Sequence, residues 1–287
     1  MRPELKDKNM KQQYTNPRVA IRSRALTTAV LFTCAAVLTL PLQALADGGH
    51  RGDDRKKATR IIPPNQEAYG TSYSELAGAW WDWAVNQPPD MNPILDETGE
   101  FAHVGQNEDY GQGKSVFFLA GNFGGETVRS CTVPRGKALF FPIVNGLWIA
   151  PEEGNTEECR QAVNEFVGWP TEMQCIIDGV PVEDIRAYRA QSPPGGSPFH
   201  IQAGSLLESL DPGFYVPRGY VTGSVADGYW LLVKLGDGNQ HVIEFSGTLG
   251  DPESPDFQLS VKYILTVVGD EDHDHHRDGD GDGDHGR

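Results

Sequence analysis

From Phe257 to Val267 every second residue is apolar: Phe257, Leu259, Val261, Tyr263, Leu265 and Val267, with Gln258, Ser260, Lys262 and Thr266 between them. A period of two places these side chains on opposite faces of an extended strand, one buried and one wet, and no helix satisfies it. A half-apolar strand this long needs neighbours that hydrogen-bond its edges and a second layer that covers its dry face, so it commits the chain to a sheet with a packed partner. Most of the chain ahead of it reads the same way. Short apolar runs at Ser115 to Ala120 and Ala138 to Val144 are bounded by Gly and Pro, of which the 287 residues hold 33 and 20. Asp178-Gly179 at the centre of Gln174 to Val182 is a two-residue hairpin signal. Tyr229 to Leu235, the turn Gly236-Asp237-Gly238-Asn239, and His241 to Phe245 predict a second hairpin.

Two segments break this pattern. Tyr73, Leu76, Ala77, Trp80, Trp83 and Ala84 recur at three- and four-residue spacing and predict a helix over Ser72 to Val85, stopped by Pro88-Pro89. A second helix is expected over Thr156 to Val167, with Cys159, Ala162, Val163 and Phe166 on one face and Glu157 and Glu158 near its positive N-terminal end. Short strands without strand-helix alternation or an internal repeat define a mainly β class, an antiparallel β-sandwich or jelly-roll-like fold with two short helices packed at one edge.

The ends follow other rules. Six basic residues from Lys6 to Arg24 precede the apolar run Ala25 to Leu45, which closes with Ala44-Leu45-Ala46. This is the pattern of a signal peptide over residues 1–46, in competition with a single membrane anchor; cleavage leaves no inserted segment and a secreted or periplasmic chain. Residues 47–60 form a polar lead-in, 61–268 a single β-rich globular domain, and 269–287 an Asp/His/Gly-rich tail with no aliphatic or aromatic residue to pack. The whole chain carries 40 acidic and 24 Lys or Arg residues, net −16. The first 46 residues hold seven basic and two acidic groups, so the chain without them carries −21. Such a surface repels phosphate backbones, which excludes nucleic acid as a partner. With Cys34 in the discarded segment, Cys131, Cys159 and Cys175 remain in an oxidising compartment. Cys159 and Cys175, the closer pair, are the expected disulfide, with Cys131 a buried free thiol.

Trp80-Trp81-Asp82-Trp83-Ala84, Asn92-Pro93, Cys131-Thr132-Val133-Pro134 and Phe140-Phe141-Pro142 resemble segments shared by a group of secreted bacterial proteins of unassigned function. Ala226-Asp227-Gly228-Tyr229-Trp230, His241 and Tyr263 extend the likeness over most of residues 70 to 268. The resemblance implies one exported domain with a β-rich C-terminal half and carries over no catalytic residue.

Three candidate constellations remain. With Trp80 and Trp83 facing inward, Trp81 lies about 100° around the helix. It predicts an exposed indole that, with Trp148, would hold an extracellular glycan or other small ligand, Asp82 and Asn86 bonding its hydroxyls. The competing reading sets all three indoles in the core. His103, Tyr110 and Asp82 are candidates for acid–base catalysis on polysaccharide. His103, His200 and His241 are also read as structural histidines. No G-x-S-x-G, H-E-x-x-H, P-loop or dinucleotide fingerprint supports another enzyme class. In the tail, Asp270, Asp272, His273, Asp274, His275, His276, Asp278, Asp280, Asp282 and His285 mix imidazole with carboxylate, the donor set for weak binding of Zn²⁺, Ni²⁺ or Cu²⁺. Asp278, Asp280 and Asp282 with Gly283 match half a Ca²⁺ loop, whose closing carboxylate would fall past residue 287. No cofactor is required. An exported binding protein is the first expectation, an envelope-associated structural or metal-buffering protein the second, and a secreted polysaccharide-active enzyme the third.

Overall fold

The computed structural model describes residues 58–67, 69–106, 115–150, 153–210 and 219–269. The expected signal peptide, nearly all of the lead-in, Tyr110 and every candidate metal ligand of the tail lie outside them. The chain runs β1 (Arg60–Ile62), α1 (Tyr73–Asn86), β2 (Val116–Phe118), β3 (Gly125–Pro134), β4 (Ala138–Trp148), α2 (Thr156–Val167), β5 (Glu172–Ile177) and β6 (Val180–Pro181). It continues through β7 (Arg189–Gln191), β8 (Ser197–Ile201), α3 (Leu206–Leu210), β9 (Gly219–Lys234), β10 (Gln240–Asp251) and β11 (Ser254–Val268). The fold is mainly β and sandwich-like. No helix among the described residues is long and apolar enough to cross a membrane.

Sheet 1 is organised on β9. β4 pairs antiparallel along one of its edges and β2 lies outside β4, while β8, β7 and β1 tile the other edge in succession. Sheet 2 has the order β3-β11-β10-β5-β6. One cluster lies between the sheets, with Phe141, Leu231 and Val233 of sheet 1 meeting Phe245, Val261 and Leu265 of sheet 2, and Cys159, Val163 and Val167 of α2 closing it. A second lies on the other face of sheet 1, where Tyr73, Leu76, Trp80 and Trp83 of α1 cover Phe118, Phe140, Trp230 and Leu232. Sheet 1 is therefore buried on both faces, which is why Ala138-Leu139-Phe140-Phe141 reads as a continuous apolar run. The sheets meet closely at Gly247, where a Cβ would stand 2.1 Å from Val144 Cγ2.

Local signals placed several elements. Ser72 and Glu75 form a capping box ahead of α1, so Ser72 is the cap and the helix begins one residue later. Gln87 turns extended before Pro88, as the residue preceding a proline must. α2 has the expected bounds and is capped by Asn155. Asp178 (φ 51°) and Gly179 (φ 80°) turn the β5–β6 hairpin, and β11 is inward at Leu259, Val261, Tyr263, Leu265 and Val267.

Four expectations are corrected. β9 and β10 do not pair: Gly236 to Asn239 crosses between sheets, and β10 instead forms a hairpin with β11 and pairs antiparallel with β5. The reason is burial, since β9 is apolar on both faces and β10 on only one. Pairing is not wholly antiparallel, because β3 joins β11 and β2 joins β4 in parallel. A third helix, α3, stands beside the two expected. No disulfide links Cys159 and Cys175: both are buried free thiols in the inter-sheet cluster, and Cys131 is a half-buried one. Each fills a small apolar site, Cys159 Sγ resting 3.6 Å from the Gly154 carbonyl. Burial pushes the thiols up, to about 11 for Cys159 and about 12 for Cys131 and Cys175, so none is primed as a nucleophile.

Candidate functional site

The aromatic helix is mostly core. The indole N–H of Trp80 donates to the Leu119 carbonyl (2.9 Å), that of Trp83 to Val104 (2.8 Å) and that of Trp230 to Ala190 (3.2 Å). Trp230 stacks on Phe140 with centroids 5.2 Å apart and planes 5° from parallel. Trp81 is half-buried, edge-on to Trp80 at 5.1 Å, in the seam between the α1 cluster and a smaller one formed by Val85, Ile149, Ile201, Leu207 and Val221. Its indole nitrogen is buried without a hydrogen-bond partner.

Asp82 and Asn86 are engaged with the protein itself. Asp82 Oδ1 accepts from the His200 backbone N–H (3.0 Å) and from Asn86 Nδ2 (2.9 Å), and Asn86 Oδ1 accepts from Gln202 N–H (3.0 Å). Four residues of helix rise about 6 Å and two of strand about 6.7 Å, so this i, i+4 pair matches alternate N–H groups at the end of β8 and just past it. Burial raises the Asp82 carboxyl above its ordinary range, opposed by the His200 N–H, the His200 charge and Asn86.

Trp148 lies on the opposite face of sheet 1 from Trp81. Its strand neighbours Leu147 and Ile149 belong to the helix-side clusters, whereas Trp148 packs against the inter-sheet core, 5.4 Å from Phe166 of α2. The two tryptophans therefore do not share a surface. Trp148 shares one with Phe166, which periodicity did not single out for ligand contact. Phe166 is 39% exposed and Trp169, three residues on past a still-helical Gly168, is 85% exposed. The only sequence signal for Trp169 was its position between Gly168 and Pro170, outside any periodic element.

The acid–base trio is not assembled among the described residues. His103 is exposed beside an open recess of about 270 Å³ lined by Gly99, Glu100, His103, Ser130, Cys131 and Thr132. Asp82 is not in that lining, and Tyr110 lies outside the described residues. No group of three His, Cys, Asp or Glu among the described residues could hold a metal. His241 is buried with Nδ1 2.7 Å from Asp178 Oδ2, a structural pairing across the β5–β6 turn.

Next to Ser130 of that lining sits the most highly connected polar side chain among the described residues. Buried Arg129, on β3, donates Nε–H to the Asp96 carbonyl (2.6 Å) and its terminal nitrogens to the carbonyls of Ile94, Ala120 and Gly121 and to the Tyr263 hydroxyl. Asp96 in turn accepts from Thr98 N–H, Thr98 Oγ1 and Phe101 N–H, each at 2.8 Å. Burial alone would raise the Asp96 carboxyl, but these hydrogen bonds outweigh it and hold it below its usual value. A depressed carboxylate contributes stability above the ordinary Asp range that is lost as pH falls through the folded value. Asp96→Asn is thus expected to lower stability at pH 7 by about 1 kcal/mol and by progressively less as the pH falls below the ordinary Asp value of 3.8. Urea denaturation at the two pH values checks this; a deficit unchanged by acid would show that the charge is not what Asp96 contributes.

Compared with protein-family models, curated proteins and solved structures, the chain matches none of them.

Proposed function

We propose that this chain is an exported binding protein whose ligand surface is the aromatic strip Trp148, Phe166 and Trp169 at the C-terminal end of α2, and whose ligand is an extracellular glycan. The observation that carries the reading is the Trp169 indole, 85% exposed and three residues along the chain from a partly exposed phenyl that itself packs against Trp148 at 5.4 Å with the rings tilted. A large aromatic surface left in water gains when a flat, weakly hydrated sugar face covers it. Exposed Asn164, Glu165, Thr171 and Glu172 flank Trp169 in the chain and supply acceptors and donors for hydroxyls. Export accounts for the strongly basic start and the apolar run of residues 25–45, and the Trp-rich α1 segment fits the secreted bacterial group it resembles.

A glycan array followed by titration of tryptophan fluorescence tests the reading. Trp169→Ala is expected to weaken binding at least about tenfold while changing stability by under about 0.5 kcal/mol, since an exposed side chain supports no packing. Trp81→Ala is expected to leave affinity unchanged. Flat titrations across a broad glycan panel, or a Trp169→Ala chain that binds as well as the unaltered one, would refute it.

A further inference from the structure

One end of the body collects cations. Lys234, the last residue of β9, stands directly opposite Arg60 of β1 and Ala138 of β4. Arg135 and Lys137 form the turn that leads into β4. Arg60 and Arg135 are exposed, Lys137 and Lys234 half-buried, and none of the four makes an ion pair among the described residues. Like charges directly opposite on adjacent strands repel, so the Arg60–Lys234 pair is unfavourable unless an anion lies over it. Of the acidic groups on the adjoining turns, Asp178 is engaged by His241 and the Val242 N–H, and Asp237 is exposed and engaged as well. In a chain of net charge −16, four cations gathered at one end with no ion pair among the described residues call for an explanation.

The registers bring the acidic segment to the same place. Val268, the last residue of β11, is opposite Pro134, and its carbonyl accepts the Arg135 N–H at 2.7 Å. Val267 N–H donates to Asn239 in the crossing that follows Lys234, and Gly236 N–H donates to Thr59 Oγ1 beside Arg60. Residues 270–287, with eight carboxylates against two arginines, thus begin two residues past an atom bonded to Arg135. Eighteen residues reach up to about 60 Å, far more than needed.

We propose that the acidic C-terminal segment 270–287 docks on this basic end of its own chain, over Arg60, Arg135, Lys137 and Lys234. Tethering makes the attraction intramolecular, so individually weak contacts act at high effective concentration. Screening weakens it steeply, because the Debye length falls from about 30 Å at 0.01 M salt to about 3 Å at 1 M.

Arg277 within the segment provides the test. The intact chain is treated with trypsin, and release of 278–287 is followed by mass spectrometry, with free 270–287 peptide digested in a parallel tube under the same conditions. In 20 mM salt the bond after Arg277 is expected to be cut at least about fivefold more slowly in the chain than in the peptide. The rates should converge in 0.5 M NaCl and in R135E/K137E/K234E, while K262E, which alters the distant Lys262–Glu244 pair, should keep the protection. Should the triple reversal disturb the near-UV circular dichroism, R135Q/K137Q/K234Q replaces it. Equal rates at low salt overturn the proposal, as does protection that survives the variants or salt. Protection that grows with protein concentration would assign the surface to a second copy and overturn docking within the chain.

Discussion

Arg129→Met is expected to destabilise the fold by about 3–5 kcal/mol, read as a lower urea midpoint at unchanged slope. Two effects oppose each other. Removing a buried guanidinium that faces only neutral oxygens relieves a desolvation penalty, and the methionine refills much of the volume. Yet the acceptors stay behind. The carbonyls of Ile94, Asp96 and Gly121 lose the donor that reached them, and of the group only Ala120 keeps another, the Tyr263 hydroxyl. Stranding buried polar groups costs about 1–3 kcal/mol each, which outweighs the relief. Arg129→Lys should recover little, because one ammonium does not span acceptors arranged around a planar fork. A loss under about 1 kcal/mol for Arg129→Met would mean that water or the loop relaxes into the gap, and that the guanidinium is not what fixes residues 94–101 to the sheets.

Trp230→Ala is expected to cost a similar amount, about 3–5 kcal/mol, for a different reason. The indole is fully buried where α1 meets sheet 1, stacked on Phe140 and edge-on to Trp80 at 5.5 Å. Its loss removes packing from two aromatic partners and leaves the Ala190 carbonyl without its indole donor. Thermal unfolding followed by circular dichroism measures it. Together with Trp169→Ala, the experiment separates two uses of one residue type within a single chain: deletion at 230 should unfold, and deletion at 169 should disarm. If Trp230→Ala melts like the unaltered protein, the helix-side cluster is not a core.

Sequence periodicity located α2 to the residue and gave β11 its faces, because both signals are local and each element has one wet side. It misjudged β9 and β10, since a tight Gly-Asp-Gly-Asn turn suits a hairpin as well as a crossing, and only the contrast between two-sided and one-sided apolar strands tells them apart. The parallel pairing of β3 with β11 joins residues more than a hundred positions apart, which no local pattern encodes. Arg129 was legible in part: in Thr127, Arg129, Cys131 and Val133 it holds an inward place in an alternating strand, an address that demands partners. Asp82 and Asn86 were expected to bond a ligand's hydroxyls, but they bond a strand edge over a hundred residues away, which no local pattern announces. Trp169 escaped because an isolated residue between elements has no period.

The arrangement of sheet 1 also bears on how the polypeptide acquires its shape. β9 is the common partner of β1, β4, β7 and β8, all of which precede it. During synthesis or threading from the N-terminus those strands emerge with their shared template missing, and only the three-residue pairing of β2 with β4 does not depend on it. Assembly must wait for residues 219–234 and then proceed as one concerted event, which makes this a slow, highly cooperative folder whose early fragments are incomplete by construction.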